Sequence, residues 1–153
     1  LPILRRFLES RCRPQLAVVM VQKEVALQIV ATPGRMGLLS VAVQVYGKPR
    51  IVRTVPPGAF HPVPKVMSAV VRIDTYSEPL VPMNDIDSFF RVVRAGFSAP
   101  RKQLRNSLSR GLGIAVDIVE NYLKSTDIDP RRRPATVSVE EWYRLFRVVN
   151  QGG

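Results

Sequence analysis

The pattern of apolar residues changes between residues 76 and 83, and this change limits the 153-residue chain to a two-part fold. Before it, short apolar runs alternate with helical patterns, as in α/β proteins. After it, apolar residues recur at helical spacing only. We therefore predict an α/β segment over residues 1–76, a linker over 77–83 and a helical domain over 84–153.

The first part contains two helix patterns and several strand patterns, and the first of these helix patterns is the helical spacing of Ile3, Leu4, Phe7 and Leu8. An uninterrupted apolar run over residues 16–21 predicts a strand that is buried on both faces. A helix is predicted over 23–31, because a Pro-Gly pair closes its apolar periodicity. Residues 39–46 predict a second strand and residues 47–49 a turn after it, and shorter strands are predicted over 51–55 and 65–74.

The second part contains four helix patterns. Asn84 is a suitable N-cap for the first helix. The second and third helices are predicted over residues 100–108 and 114–123. Ser138 and Glu141 have the spacing of a capping box, which predicts the start of the last helix. The apolar stripe of this helix is predicted to consist of Trp142, Leu145, Phe146 and Val149.

The charge of the chain indicates a polyanionic partner. There are 23 Lys and Arg residues against 12 Asp and Glu residues, which gives a net charge of +11. A positive surface gains affinity for nucleic acid by releasing counterions from the phosphates. Most of the basic residues are arginines, which pair with phosphate through two donors and stack on bases. We therefore favour nucleic acid over an acidic protein or a membrane surface.

The sequence favours a cytoplasmic protein. Cys12 is the single cysteine and cannot form an internal disulfide, so nothing requires an oxidising compartment. No apolar run reaches the roughly 18 residues of a membrane span, and the first residues lack the layout of a signal peptide. The chain starts without Met and within a helical pattern, which indicates a truncated polypeptide.

A proline-rich loop holds the first candidate site residue. Four of the nine residues from 56 to 64 are prolines, so this segment is a stiff loop and not a strand. Phe60 lies within it, and an aromatic ring fixed in such a loop can serve as a stacking platform for an extruded base. The alternative is a ring that plugs the core beneath the loop. The residue type alone favours this packing role, since most aromatic side chains are packing residues.

Two basic clusters are candidates for phosphate contact. Arg101, Lys102 and Arg105 lie close to a predicted helix N-terminus, which itself favours anions. Three consecutive arginines, at positions 131, 132 and 133, precede the last helix. Either cluster could instead be a solvated basic face.

Several classes of enzyme are improbable within these residues alone. No glycine-rich loop follows a predicted strand, as a nucleotide or methyl-donor site would require. His61 is the single histidine, so neither a Ser/His/Asp triad nor a Cys/His metal site is credible.

The motifs together resemble those of the small-subunit ribosomal RNA adenine N6,N6-dimethyltransferases. The resemblance runs along nearly the whole chain. It departs at Leu38, where the family usually has Arg, and at Pro100, where it usually has Gln or Arg. The matching motifs are Pro2-Ile3-Leu4, Met20 to Ala26, Gly37 to Val41, Val55 to Phe60 with Pro62, Pro64-Lys65-Val66 and Ser68 to Val71, and Gly96-Phe97-Ser98 with Arg101-Lys102, Leu104-Arg105-Asn106 and Leu108.

The resemblance implies the second half of a Rossmann-like methyltransferase sheet followed by a small helical domain. It implies transfer of methyl groups from S-adenosylmethionine to N6 of two adjacent adenines in the 3′-terminal hairpin of small-subunit rRNA, during ribosome assembly. It assigns Phe60 to stacking on the target adenine, in a substrate loop with Pro62, Pro64 and Lys65.

The family's donor-binding motifs would precede Leu1, so the isolated chain is predicted to be inactive and to bind no S-adenosylmethionine. The implied partners are small-subunit rRNA and the immature small ribosomal subunit, and a monomer is favoured. Three alternatives remain, namely the related large-subunit methyltransferase of antibiotic resistance, a mitochondrial transcription factor of the same fold, and a non-catalytic RNA- or DNA-binding module.

Overall fold

The structure, a computed structural model, describes residues 2–153 and contains a three-stranded sheet and seven α-helices. Short 3-10 helices cover Pro57–Ala59, Met83–Asp85 and Pro134–Thr136. In chain order the main elements are α1 (Pro2–Leu8), β1 (Leu16–Gln22), α2 (Lys23–Ile29), α3 (Leu38–Gln44), β2 (Gly47–Val55), β3 (Ser68–Thr75), α4 (Ile86–Phe97), α5 (Leu104–Leu112), α6 (Val116–Ser125) and α7 (Val139–Gln151).

The chain forms two compact units. The first, the sheet unit, contains the residues up to Ala31 and those from Leu39 to Pro79. The second, the helical unit, contains α4 to α7 and also the short segment Thr32–Leu38. None of the helices within residues 2–153 is long and apolar enough to span a membrane.

The sheet has the strand order β1-β3-β2, and both pairings are antiparallel. Ser68, the first residue of β3, is opposite Gln22 at the end of β1 and Val55 at the end of β2. The carboxyl ends of β1 and β2 therefore lie at the same end of the sheet, on either side of the first residue of β3. The proline-rich loop joins β2 to β3 at this end of the sheet.

Strand β1 differs from the prediction, because one of its faces is open. Its residues alternate between exposed and half-buried. Leu16, Val18 and Met20 are 44%, 59% and 54% exposed. An apolar run has the same sequence pattern whether or not a second layer covers it, so the pattern could not reveal the open face. Together α1 and β1 line an apolar groove of about 720 Å³.

The prediction of a strand over residues 39–46 was wrong, because Leu38–Gln44 is helix α3. The Ser40 hydroxyl donates to the carbonyl of Gln28 at 2.5 Å, and the Gln44 side-chain amide donates to the carbonyl of Ile29 at 2.8 Å. These bonds dock α3 against the end of α2. Tertiary contacts thus override the β-propensity of its valines. The turn predicted at residues 47–49 is the start of β2, where a Cβ on Gly47 would lie 2.7 Å from the Asp74 carbonyl oxygen.

The helical unit matches the predicted elements with shifted starts. The capping box is confirmed, since the Ser138 hydroxyl accepts from the Glu141 N–H at 3.1 Å and the Glu141 carboxylate accepts from the Ser138 N–H at 2.9 Å. Helix α4 is preceded by a 3-10 turn, and its N-cap is Asp85 instead of Asn84. Helix α5 begins at Leu104 and not at Pro100, so residues 100–103 form a turn.

The core of the helical unit forms around Trp142, which is fully buried together with Phe89 and Leu145. Phe89 packs edge-on against Phe146 with ring centroids 6.0 Å apart. Gly96 lies directly under the indole, where an added Cβ would meet the ring at 2.3 Å. The last helix is therefore packed closely against α4, as its apolar stripe predicted.

Candidate nucleic-acid interface

The proline-rich loop holds the Phe60 ring outside the core. After the 3-10 turn, Phe60 has an extended backbone (φ −117°, ψ 153°), and its N–H donates to the carbonyl of Pro57 at 3.2 Å. The peptide bond between His61 and Pro62 is cis. The Phe60 side chain is half-buried and pairs with none of the aromatic rings in the described chain. The ring is therefore no core plug and keeps part of its surface available.

The other predicted residues of this loop are also accessible. Pro62 and Lys65 are exposed, and Pro64 is half-buried. Within the loop Val63 is 63% exposed. These accessible side chains follow Phe60 directly in the sequence.

The loop ends beside the junction of β1 and α2. The Lys23 N–H donates to the Met67 carbonyl at 2.9 Å. Next to this bond is a cavity of about 230 Å³, lined by Gln22, Lys23, Glu24, Val66 and Met67. Ligands of open α/β sheets bind at the carboxyl ends of strands, and this cavity lies at such an end. Sequence reasoning missed the residues 22–24, for which the only signal was their place at a strand-to-helix junction.

The two basic clusters, predicted separately, lie side by side in the helical unit. The Leu104 N–H donates to the Arg132 carbonyl at 2.6 Å, and the Arg105 N–H donates to the Pro130 carbonyl at 3.1 Å. These two bonds join the start of α5 to the arginine-rich loop. We call the resulting surface the basic corner, and its members are Arg101, Lys102, Arg105, Arg131, Arg132 and Arg133.

Three members of the basic corner are exposed and form no ion pair within residues 2–153, namely Arg101, Lys102 and Arg133. Three positive side chains without an internal counter-charge attract an external anion. They are therefore the members best placed to contact a phosphate backbone.

The other three members are ion-paired. Arg105 bonds to Glu120 at 2.5 Å, and Arg131 bonds to Asp129 at 3.1 Å. The Arg132 guanidinium donates hydrogen bonds to both carboxylate oxygens of Glu141, at 2.8 and 2.9 Å, and another to the Thr136 hydroxyl. The hydrogen bond from the paired arginine lowers the pKa of each of the three carboxyl groups, those of Glu120, Asp129 and Glu141. Arg105 and Arg132 thus hold the corner together.

We expect Glu141 to make the stability of the chain depend on pH. The Arg132 guanidinium lowers the pKa of Glu141, first of all through its hydrogen bond, from an ordinary value of 4.5. A carboxyl group with a lowered pKa stabilises the fold above its unfolded pKa, and this contribution is lost as the pH falls through the folded pKa. Urea unfolding should therefore show a free energy that begins to fall as the pH drops below the ordinary pKa of 4.5.

Glu141→Gln should lower the free energy of unfolding at pH 7 by about 1–2 kcal/mol, because the neutral amide cannot form an ion pair with the Arg132 guanidinium. The substitution should also reduce the pH dependence, because the amide does not titrate. Glu140→Gln is the matched control, because Glu140 is exposed and forms no ion pair within the described residues. Equal pH profiles for wild type and Glu141→Gln would contradict the assignment.

The segments that follow β1 and β2 differ from the glycine-rich turn of a typical methyl-donor site. Gln22 ends β1 and Lys23 begins α2 directly, so no glycine-rich turn lies between them. The loop after β2 is filled by prolines, which cannot donate backbone N–H groups to a nucleotide. Residues 2–153 also contain no group of His, Cys, Asp and Glu side chains that could hold a metal ion.

Comparison with known proteins identifies relatives among rRNA methyltransferases. Ribosomal RNA small subunit methyltransferase A of Dehalococcoides mccartyi strain CBDB1 is 47% identical over 144 residues, which are 94% of this chain and 49% of the relative. The protein of the same name from Alkaliphilus metalliredigens is 42% identical over 151 residues, or 97% of this chain and 53% of the relative. The chain thus spans about half the length of these relatives.

Two crystal structures are similar in fold. A dimethyladenosine transferase from Plasmodium falciparum superposes with a TM-score of 0.83 at 20% identity, over 98% of this chain and 62% of the other. The 23S rRNA methyltransferase ErmE superposes with a TM-score of 0.70 at 28% identity, over 97% and 60%. The predicted combination of a partial Rossmann-like sheet and a helical domain is confirmed. Since residues 1–151 match the family described as ribosomal RNA adenine dimethylase, the chain belongs to that family.

Proposed function

We propose that this chain is the second half of an enzyme that dimethylates N6 of two adjacent adenines in the 3′-terminal hairpin of small-subunit rRNA during ribosome assembly. The observation that carries the proposal is the half-buried Phe60 ring, fixed in a proline-rich loop where β1 and β2 end. The relatives named as small-subunit methyltransferases support the choice of substrate.

In this proposal the Phe60 ring stacks on the target adenine after it leaves the RNA helix. An enzyme that acts on a base must extrude it, and an aromatic face supports the extruded base. Pro62 and Pro64 limit the motion of the loop, so the ring is held in place before the base arrives. Lys65, which is exposed next to them, supplies a positive charge for the neighbouring phosphates.

The helical unit would hold the RNA. Phosphate contacts position a nucleic acid without reading its bases, and Arg101, Lys102 and Arg133 are suited to this task. The division of labour follows the predicted domains, with base stacking in residues 1–76, a linker over 77–83 and RNA contact in residues 84–153. The enzyme would act in the cytoplasm, as a monomer, on the immature small subunit.

S-adenosylmethionine would supply the methyl group to the complete enzyme. The donor would be bound by the part of the family fold that this chain does not match; the direct passage from β1 into α2, without a glycine-rich turn, supports this placement. The contribution of the present chain is orientation, since holding the amino nitrogen in line with its reaction partner lowers the barrier without a general base.

A second candidate is methylation of large-subunit rRNA. The fold similarity to ErmE, whose title describes a 23S rRNA methyltransferase, favours it. The two candidates differ only in the RNA on which the enzyme acts, and a substrate test separates them.

The test is a hybrid enzyme. It joins this chain to the part of the Dehalococcoides mccartyi relative that the chain does not match. With labelled S-adenosylmethionine and immature small subunits, we expect label in N6,N6-dimethyladenine of the 3′-terminal hairpin and none in large-subunit rRNA. Label in large-subunit rRNA alone would overturn the small-subunit proposal in favour of the second candidate.

The chain by itself is the matched control. It should transfer no methyl group, and calorimetry should show no saturable binding of S-adenosylmethionine at micromolar concentration. Saturable binding by the isolated chain would contradict the placement of the donor site outside these residues.

A further inference from the structure

We infer that a turn formed by residues 32–36, which we call the Arg35 turn, extends the basic corner and that Arg35 is an additional phosphate contact for RNA. The inference rests on the proposed function, because it concerns the same RNA surface. Neither the charge clusters in the sequence nor the family motifs point to Arg35.

The Arg35 turn is attached to the loop that carries the arginines of the basic corner. The carbonyl of Ala135 accepts from the Gly34 N–H at 2.8 Å and from the Met36 N–H at 3.2 Å. The two donors flank Arg35 in the sequence. The Met36 side chain is buried, which anchors the turn from below. In agreement with these contacts, Thr32–Leu38 belongs to the helical unit.

The backbone of the turn presents Arg35 outward. The Arg35 N–H donates to the Thr32 carbonyl at 3.0 Å and closes the turn. Gly34 has φ +113°, a conformation that side chains rarely adopt, so the glycine permits this shape. Arg35 is exposed and forms no ion pair within residues 2–153.

Arg35 therefore lies near the unpaired Arg133. Ala135 is two residues from Arg133, and the hydrogen bonds place the backbones of Arg35 and Arg133 within roughly 15 Å of each other. This separation is comparable with the Debye length of about 10 Å at 0.1 M salt, so their positive potentials overlap. A single RNA backbone that crosses the basic corner can therefore contact both Arg35 and Arg133. Neither guanidinium forms an ion pair within residues 2–153 that a phosphate would have to displace.

The test measures binding of the whole chain to the 3′-terminal rRNA hairpin by fluorescence anisotropy from 50 to 200 mM salt. Arg35→Ala should lower the slope of log affinity against log salt by about one unit. Its loss of affinity should be about threefold larger at 50 mM than at 200 mM salt, since one phosphate contact is removed. Arg35→Lys should retain most of the slope, because the charge remains.

Arg91→Ala is the control for loss of one positive charge. Arg91 is exposed on α4 and lines a pocket with Val149 and Asn150 near the end of α7, whereas Arg132 bonds to Glu141 at its start. Arg91 therefore lies at the end of α7 opposite to the basic corner, and none of the backbone hydrogen bonds of the Arg35 turn or of the arginine-rich loop reaches it. We expect Arg91→Ala to leave the slope unchanged.

The outcomes separate the two claims. If Arg133→Ala reduces the slope while Arg35→Ala behaves like Arg91→Ala, the Arg35 inference is wrong and the proposed function stands. If Arg35→Ala and Arg91→Ala reduce the slope equally, only net charge matters and the inference is also wrong. If the wild-type chain does not bind the hairpin, both the RNA surface and its extension fail.

Discussion

Phe60→Ala in the hybrid enzyme should slow methyl transfer by roughly 5- to 150-fold, which corresponds to the 1–3 kcal/mol that stacking contributes per base. Hairpin affinity should change by less than about threefold, since phosphate contacts and not the ring hold the RNA. The measurements are single-turnover rates with saturating RNA and hairpin binding by anisotropy. A rate loss with preserved affinity would assign the ring to positioning of the base.

Two further variants sharpen this prediction. Phe60→Trp keeps an aromatic face and should retain most of the rate, whereas Phe60→Leu keeps an apolar side chain without the face and should behave like alanine. Val63→Ala removes an exposed apolar side chain from the same loop and should have little effect. Equal losses of rate and affinity in Phe60→Ala, or a full rate in Phe60→Leu, would refute the stacking role.

Reversal of Arg101 and Arg133 to Glu should weaken hairpin binding by roughly a hundredfold or more at 0.1 M salt, since two charge-assisted contacts of about 1.5–3 kcal/mol each are lost. The salt slope should fall by about two units. An unrelated hairpin should be affected equally, because such contacts do not read bases. Circular dichroism should show an intact fold, since both side chains are exposed and unpaired within the described chain.

Arg105→Glu is the contrasting variant. It would place a carboxylate opposite Glu120, to which Arg105 is now bonded at 2.5 Å. We therefore expect it to lower the free energy of unfolding more than the double reversal does. A double variant that stays folded and keeps the wild-type salt slope would show that Arg101 and Arg133 form only a solvated face.

The elements that the sequence predicted well are those with local causes. The capping box of Ser138 and Glu141 depends on residues three apart, and the proline-rich loop depends on the missing N–H groups of its prolines. The apolar stripe of α7 was equally readable, since burial of Trp142 follows from helical spacing. Such features need no knowledge of distant parts of the chain.

The elements that the sequence could not predict depend on distant contacts. Helix α3 has the valines of a strand, and its docking bonds go to residues 12 to 15 positions away. The ion pairs Arg105–Glu120 and Arg132–Glu141 distinguish arginines that have an internal partner from residues that have none, yet all six basic residues of the corner look alike in the sequence. The two basic clusters are likewise joined by a tertiary contact, the hydrogen bond from the Leu104 N–H to the Arg132 carbonyl.

The open face of β1 has a consequence for how the chain behaves at high concentration. β1 is an edge strand, and its exposed Leu16, Val18 and Met20 give two copies of the chain an apolar surface along which to pair. The net charge of +11 opposes such pairing through mutual repulsion. Salt screens this repulsion, and under the proposed function it would also weaken the phosphate contacts with RNA. We therefore expect the colloidal stability of the chain and its affinity for RNA to fall together as the ionic strength rises.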